Sequence, residues 1–204
     1  MTLYSYIVAR DYGFAPNPFY GVCTLATCKP NIRRCARVGD WVIGTGSKQL
    51  DLDGHLVYAM KVSEVLTYDQ YWETPRFIEK KPNLRGSLKQ AYGDNIYHRD
   101  PKTGVWVQAN SHHSHPDGCP NQRNIRRDTQ SQNVLVGTQF AYWGEEAIRI
   151  PDQFRCKGVD VCCKVQGHKC IFPEGFVAEF IKWIESLNAH GYLGRPAMFE
   201  RKAR

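Results

Sequence analysis

Thiols and imidazoles gather in the last quarter of the chain, where their spacing could hold a metal ion. Cys156, Cys162, Cys163, His168 and Cys170 lie within fifteen residues of one another. Thiolate sulfur and imidazole nitrogen are the usual ligands of tetrahedral zinc. Adjacent cysteines of an extended segment point in opposite directions, which makes Cys163 the poorest candidate. We therefore predict a structural zinc bound by Cys156, Cys162, His168 and Cys170. The alternative is a set of free or buried thiols, because the spacing is not that of a standard zinc finger.

A histidine-rich stretch, SHHSHPDGC, occupies residues 111–119. Its imidazoles could bind a metal or, with a carboxylate nearby, act as a general base. A solvated polar loop is the alternative, since no H-E-x-x-H or other fixed spacing supports a metal here. If the protein is an enzyme, we expect Asp11, His112 or His113, and Asp128 to supply acid–base catalysis.

Two cysteines in the first thirty residues invite interpretation as nucleophiles. Cys23 and Cys28 each lie near a basic segment that could lower a thiol pKa. Nothing in the sequence ties either thiol to a histidine and an acid, so structural roles are predicted for both. The chain also lacks G-x-S-x-G, a Walker-type phosphate loop, a dinucleotide fingerprint and the H-x-E signature of deaminases.

Arginines lie beside a glycine loop in the first third of the chain. Arg33 and Arg34 precede the apolar run 41–43, and the loop 44–47 follows it. Glycine lets the backbone approach a ligand closely, and arginine supplies forked donors for phosphate. We predict phosphate contacts from both arginines and nucleotide contacts from the loop amides; an ordinary hairpin turn is the alternative. The loop consists of Gly44, Thr45, Gly46 and Ser47.

An aromatic loop near the start of the chain offers flat surfaces on which a base could stack. Residues 11–20 include Tyr12, Phe14 and Phe19, with Asn17 between them. Aromatic faces close to arginines meet two needs of nucleotide binding, which are stacking and charge. We predict that these rings stack on a base and that Asn17 reads a base edge. Packing of the rings on the protein body is the alternative.

A second basic stretch, residues 121–129, contains Asn124, Arg126 and Arg127. Arginine suits phosphate, and asparagine suits a base edge. We predict nucleotide contacts from these three residues and from Lys29. A solvated charged run is the alternative.

The composition is typical of a soluble protein with a basic surface. The chain has 204 residues, 42% of them hydrophobic, and a formal net charge of +7. That length can bury a sizeable core, and the charge favours polyanionic partners such as nucleic acid. No apolar run approaches the roughly 18 residues that span a bilayer, and no signal-peptide pattern is present. We therefore predict a cytoplasmic protein without membrane contact, whose cysteines are thiols or metal ligands rather than disulfides.

Hydrophobic patterning predicts short strands, short helices and one longer helix. Strands are predicted at residues 3–8, 41–44, 56–66, 104–108, 134–136 and 138–143, and short helices at 29–37, 68–72 and 87–92. Two long irregular inserts, 74–101 and 110–129, separate these elements, and we expect both to be functional. Apolar residues at three-and-four spacing after Pro173 predict an amphipathic C-terminal helix that packs on a sheet.

The central stretch carries a family resemblance. VGDWVIGTGS, then VYAMKVSEV, then Tyr68, Tyr71 and Trp72 resemble the central hairpin of PUA-like domains of the EVE and ASCH type. With the opening YSYIVARDYGFAPNPFYGVCTLATCKP, residues 1 to about 150 resemble the second family of nucleotide-modification-associated domains. Those proteins occur in phages, bacteria and mobile elements and are inferred to act in base-modification pathways. The resemblance implies contact with nucleotides or modified bases, and it brings no established reaction.

Together these features predict an α+β fold. We expect a PUA-like, mixed but mostly antiparallel sheet that curls into an open barrel, with short helices at its rim and the C-terminal helix on one face. A single domain is predicted over residues 1–204, with a core at 1–150 and a cysteine-rich segment plus helix at 151–204. The predicted function is recognition of a nucleotide or modified base in nucleic acid, within a base-modification or defence system. An enzyme of nucleotide modification and a structural accessory protein are the alternatives.

Overall fold

The structure is a computed structural model that describes residues 1–156, 158–165 and 167–200, so parts of the predicted 151–204 segment lie outside the described residues. The strands are β1 (Leu3–Ile7), β2 (Cys23–Leu25), β3 (Trp41–Thr45), β4 (His55–Lys61), β5 (Glu64–Thr67), β6 (Tyr97–Arg99), β7 (Trp106–Gln108), β8 (Asn133–Gly137), β9 (Gln139–Tyr142), β10 (Ile148–Arg149), β11 (Arg155–Cys156), β12 (Val159–Asp160) and β13 (Gly191–Tyr192). The α-helices are α1 (Pro30–Cys35), α2 (Tyr68–Glu73), α3 (Leu88–Ala91), α4 (Gln122–Asp128) and α5 (Phe176–Ser186).

Two sheets form the centre of the fold. The larger has the order β1-β3-β4-β9-β13, with β10 paired to one end of β4. Strand β1 runs parallel to β3, and β13 runs parallel to β9, while β3, β4 and β9 are antiparallel. The smaller sheet, β2-β8-β5, is antiparallel throughout. The hairpin β6-β7 and the pair β11-β12 form separate ribbons.

Alternating apolar residues let each sheet face two hydrophobic clusters. In β3, Trp41 and Ile43 pack in a cluster with α5, while Val42 packs in the cluster between the two sheets. In β8, Leu135 joins that middle cluster, while Val134 packs in a third cluster on the opposite side. The layers are therefore α5, the larger sheet, the smaller sheet, and the segments that run from α2 to α4.

The predicted α+β class is confirmed. Helix α5 packs on the larger sheet through Phe180, Ile181 and Ile184, which are all buried. Within the described residues both sheets end in unclosed edge strands, so no closed barrel forms. The PUA-like open barrel is not confirmed and stays a prediction. No helix in the described part of the chain has the length and apolar character needed to cross a bilayer.

Two strand predictions differ from the structure. The single strand expected at 56–66 is divided into β4 and β5, which belong to different sheets. The chain changes sheet at Ser63, whose main-chain N–H and hydroxyl both donate to the carbonyl of Val136. The expected strands at 134–136 and 138–143 form β8 and β9, which likewise join different sheets. Strands β4, β8 and β9 are largely buried on both faces, so the apolar pattern does not reveal which sheet each of them joins.

The insert expected to be irregular at 110–129 contains helix α4. Asn121 caps this helix, because its side-chain oxygen accepts from the N–H groups of Arg123 and Asn124. Short, strongly polar helices of this kind give little apolar periodicity, which explains why the pattern does not predict α4. Strand β2 was also missed, because its three residues are too few to show alternation.

Arg33 connects α1 to the smaller sheet from a fully buried position. Its Nη1 donates to the carbonyls of Ser131 and Asn133 at 2.9 and 2.7 Å, and the amide of Asn133 donates back to the carbonyl of Arg33. Its Nε donates to the carbonyl of Cys28 at 2.8 Å, and its Nη2 donates to the carbonyl of Asp128. The guanidinium therefore holds three chain segments in one arrangement.

We expect Arg33→Met to lower the free energy of unfolding by at least about 3 kcal/mol, since an unsatisfied buried acceptor costs roughly 1–3 kcal/mol and the carbonyls of Cys28, Ser131 and Asn133 would lose this donor. Chemical denaturation measures the change. Arg34→Ala is the matched control, because Arg34 is exposed, and it should stay within about 0.5 kcal/mol of the wild type. Equal effects of the two substitutions would contradict this account of α1.

Candidate active site

A buried carboxylate, that of Asp128, lies at the end of α4. It is fully inaccessible to solvent, and four donors reach it. Oδ1 accepts from the main-chain N–H of Cys28 at 3.0 Å and from Nε of Arg127 at 2.9 Å. Oδ2 accepts from the hydroxyl of Tyr97 at 2.9 Å and bonds Nδ1 of His113 at 2.9 Å. A buried carboxylate with this many donors stays ionised.

His113 connects this carboxylate to a thiol. Its Nδ1 faces Asp128, and its Nε2 lies 3.8 Å from Sγ of Cys28. The side chain of His113 is 12% exposed to solvent, whereas that of Asp128 is fully buried. Thiol, imidazole and carboxylate thus follow one another in the order of a nucleophile, its acid–base partner and the group that orients that partner.

Cys28 occupies a tight turn between β2 and α1. Cys28 and Lys29 both have left-handed backbone conformations, with φ angles of 56° and 39°. Such conformations cost non-glycine residues on the order of 1–3 kcal/mol each and cluster at functional sites. The turn is held by two bonds to the main chain of Cys28, whose N–H donates to Asp128 and whose carbonyl accepts from Arg33. The thiol is half-buried at the surface end of this turn.

The electrostatics of the site stabilise charge on both sulfur and imidazole. Burial raises the pKa of Cys28, but the hydrogen bond and charge of His113 outweigh it and, with Arg127, bring the pKa below its ordinary value. Burial lowers the pKa of His113, but the bonds and charges of Asp128 and Cys28 raise it to about 9. For Asp128, His113 and Arg127 outweigh burial and hold the pKa well below its ordinary value. These contacts thus shift the three groups towards a thiolate, an imidazolium and a carboxylate.

A shell of polar side chains fixes the histidine loop against α4. Nδ2 of Asn124 donates to the carbonyl of His113 at 2.7 Å. Gln108 donates to the hydroxyl of Tyr97 at 3.1 Å, and its Oε1 accepts from the N–H of Asn121 at 2.7 Å. Asn124 was predicted to read a base edge. In this arrangement it positions His113 instead, and base reading stays a prediction.

An aromatic cluster, formed by Tyr12, Phe14, Tyr92 and His112, borders the triad. The Phe14 ring lies 4.6 Å from that of His113 and 5.1 Å from that of His112. Tyr12 lies 4.6 Å from His112 and stacks on Tyr92 at 5.4 Å. Tyr12 and His112 are half-buried, while Phe14 and Tyr92 are buried. The aromatic loop 11–20 therefore faces the histidine loop 111–119 at the thiol.

Other residues of the aromatic loop serve the core. Phe19 is buried and packs against Tyr192 and Phe199 at 5.4 and 5.5 Å. The side-chain oxygen of Asn17, which is also buried, accepts from Nζ of Lys80 at 2.7 Å. Burial lowers the pKa of Lys80 to about 8. Base contacts from Phe19 and Asn17 stay predictions that would require these residues to leave the core.

The predicted glycine loop serves close packing. A side chain at Gly44 would collide with Tyr58 and Val8, and one at Gly46 would lie 2.1 Å from the carbonyl oxygen of Leu52. Gly44, Thr45 and Gly46 are buried, and Ser47 is half-buried. Nucleotide contacts from Gly44, Thr45, Gly46 and Ser47 stay untested, and the structure gives the glycines a packing role.

The predicted basic residues have different surroundings. Arg34 and Arg126 are exposed, and Arg127 is exposed at the triad. Nζ of Lys29 lies 4.4 Å from the ring centre of Tyr6. Arg33 donates to main-chain carbonyls, as described above, so a phosphate contact from Arg33 would require those bonds to break. Phosphate contacts from these residues stay predictions.

The four predicted zinc ligands do not converge. Cys162 packs in the cluster under α5, whereas Cys170 packs against the cluster between the sheets. Cys156 is exposed, and His168 lies beside Tyr4 with 6.1 Å between ring centres. Within the described residues no three His, Cys, Asp or Glu side chains are grouped to hold a metal ion. As placed, these residues do not fit a tetrahedral zinc site, and zinc stays a prediction.

The sequence named Asp11, His112 or His113, and Asp128 as acid–base candidates, and it favoured a structural role for Cys28. The buried Asp11 instead accepts from the hydroxyl of Tyr142, so the triad consists of Cys28, His113 and Asp128. The three residues are separated by 85 and 15 positions, and only the fold brings them together. One local signal was available, because Cys28 directly precedes Lys29-Pro30 at the start of a predicted helix. That signal alone does not reveal which histidine faces the thiol.

Fold and site together define an α+β protein with a thiol–imidazole–carboxylate triad beside an aromatic cluster. Comparison with protein-family models identifies the family of the chain. The chain belongs to the family described as nucleotide modification associated domain 2, whose model matches residues 1–203. The resemblance to this family is thereby confirmed and extends beyond the predicted residues 1 to about 150, whereas the PUA-like character of the central hairpin stays a prediction. The match connects the protein to nucleotide-modification systems. No curated protein and no solved structure matched the chain.

We expect the imidazole of His113 to titrate with an apparent pKa of about 9, above the ordinary 6.5, when followed by NMR. Because the folded-state pKa exceeds that of the unfolded chain, this pairing stabilises the fold fully below about pH 6.5, and the contribution is lost as the pH rises through about 9. Asp128→Asn should lower the His113 midpoint. A midpoint at or below the ordinary value in the wild type would contradict the pairing.

Proposed function

We propose that this protein is an enzyme of a nucleotide-modification system that uses Cys28 as its nucleophile. The observation that carries the proposal is the alignment of Sγ of Cys28, the imidazole of His113 and the carboxylate of Asp128. A thiolate is the reactive form of cysteine, and a neighbouring imidazolium makes it available near neutral pH. Membership of the family supplies the context, which is nucleotides or their modified bases.

The reaction class that suits this triad is transfer or hydrolysis of an acyl group. The thiolate of Cys28 attacks the carbonyl carbon, and the bond from that carbon to the leaving group breaks. His113 gives its Nε2 proton to the leaving group, and Cys28 then carries a thioester. His113, now neutral, takes a proton from water or an amine that attacks the thioester, and the thiolate is restored.

The supporting residues act on position and charge. Asp128 accepts from Nδ1 of His113, which leaves Nε2 directed at the thiol and stabilises the imidazolium. Tyr97 and Arg127 donate to the same carboxylate and keep it ionised. Asn124 holds the carbonyl of His113. These contacts keep the imidazole aligned through both half-reactions, which is how precise positioning lowers the barrier.

Recognition of a nucleotide or modified base without chemistry is the second candidate function. The observation that favours it is the aromatic cluster of Tyr12, Phe14, Tyr92 and His112, since bases stack on aromatic side chains. A recognition protein needs this cluster and its basic surroundings but not a reactive thiol. The reactivity of Cys28 therefore separates the two candidates.

Alkylation by iodoacetamide tests the proposal. We expect Cys28 to react severalfold faster at pH 7 than the exposed Cys35, although Cys28 is half-buried, because only the thiolate is nucleophilic. Mass spectrometry of peptides measures both rates in one sample. His113→Gln should slow Cys28 severalfold and leave Cys35 unchanged. Equal rates at the two cysteines, with no effect of His113→Gln, would overturn the enzyme proposal and favour recognition.

A further inference from the structure

Arg127 contacts both the nucleophile and the carboxylate of the triad. Its Nη2 lies 3.8 Å from Sγ of Cys28, and its Nε and Nη2 donate to Asp128 at 2.9 and 3.3 Å. Its side chain is 43% exposed, whereas the guanidinium of Arg33 is fully buried on main-chain carbonyls. Arg127 therefore presents a charged, partly solvated surface at the position where a substrate meets the thiol.

The groups around the thiol carry one more positive than negative charge. Arg127, His113 and Lys29, whose charge reaches Cys28, are positive, and Asp128 and the Cys28 thiolate are negative. When sulfur attacks, its charge passes to the carbonyl oxygen, and the Nε2 proton of His113 then goes to the leaving group, so this excess of one positive charge persists through the reaction. A negatively charged substrate group near Sγ would balance it.

The histidine of the triad also borders the aromatic cluster. Phe14 contacts the imidazole of His113, and Tyr12 and His112 lie next to it as the half-buried members of the aromatic cluster. The thiol therefore has a guanidinium on one of its neighbours and aromatic rings around the other. A phosphate with a planar base attached to its sugar has groups suited to both sides.

We infer that the substrate of this site is a nucleotide whose phosphate binds Arg127 and whose base lies against Tyr12 and His112. The inference rests on the proposed function, since it places the substrate of the Cys28 nucleophile. It assigns Arg127 two roles, which are to hold the Asp128 carboxylate and to bind the anionic group. Arg123 is the natural comparison, because it lies in the first turn of the same helix and is exposed.

Two alkylating reagents of nearly the same size, iodoacetate and iodoacetamide, test for the anion site. Iodoacetate carries a negative charge and iodoacetamide does not. We expect the rate ratio of iodoacetate to iodoacetamide at Cys28 to exceed the ratio at Cys35 about fivefold, the size expected for one opposite charge about 4 Å away in bulk water. Arg127→Ala should remove this preference, Arg127→Lys should keep part of it, and Arg123→Ala should leave it unchanged.

Protection experiments identify the ligand class. Deoxynucleoside 5′-monophosphates should protect Cys28 from iodoacetamide at concentrations where inorganic phosphate and the matching nucleosides do not. Arg127→Ala should bring the monophosphates down to the level of the nucleosides. Tyr12→Leu should weaken their protection severalfold without altering the iodoacetate preference. Far-ultraviolet circular dichroism of each variant checks that it is folded.

The outcomes separate this inference from the proposed function. Protection by nucleosides equal to that by monophosphates, or a charge preference that survives Arg127→Ala in a folded variant, would overturn the nucleotide assignment. Protection by inorganic phosphate alone would overturn it as well, because it would remove the role of the base. A slow Cys28 that is indifferent to His113→Gln would overturn the nucleophile instead, and the protection pattern would still report on the anion site.

Discussion

The buried carboxylate of Asp128 fixes the relative positions of the candidate site. It bonds the main chain of Cys28, the ring of His113, the hydroxyl of Tyr97 and the guanidinium of Arg127. Those partners come from four separate parts of the chain. Breaking a buried charged pair by removing one partner costs about 3–5 kcal/mol, because the remaining group is left without compensation. Each of these four partners is therefore positioned by the same acceptor.

The layered fold explains how such distant segments meet. The smaller sheet places β2 beside β8, so the turn after β2 lies close to residues 131–133 and to the end of α4. The guanidinium of Arg33 donates to the carbonyls of both Cys28 and Asp128 and so connects this turn to the end of α4. The insert between α2 and α4 covers the third hydrophobic cluster and carries the histidine loop to the thiol. The packing that stabilises this layer is thus the same packing that assembles the triad.

The sequence predicts individual strands and helices of this fold better than it predicts how they pair and pack. The amphipathic pattern of α5 and the apolar runs of β1 and β3 were sufficient to predict these elements, because their periodicity follows directly from burial of one or two faces. Helix α4 gave no apolar signal, since it is polar and short. Residue type alone does not reveal the surroundings of an arginine. Both Arg33 and Arg127 lie in short basic stretches of the sequence, yet Arg33 is buried on main-chain carbonyls and Arg127 is exposed beside the thiol.

At the candidate site, too, the sequence reveals residue types but not their arrangement in space. The sequence named Asp128 and either His112 or His113 as acid–base candidates for an enzyme, because their side chains have that chemistry wherever they lie. It did not connect Cys28 to them, because a triad is a relation in space and its members here are far apart in the chain. The facing of the aromatic loop and the histidine loop depends on contacts such as Phe14 with His113, which no spacing in the sequence encodes.

We propose that His113 and Asp128 stabilise the thiolate form of Cys28. The most direct measurement is the ultraviolet absorbance of thiolate as a function of pH, taken as the difference between the wild type and Cys28→Ser. The account predicts that this difference is already present at neutral pH, below the ordinary thiol pKa, and that His113→Gln moves it to higher pH. A difference that develops only around or above the ordinary thiol pKa, with or without His113, would contradict it.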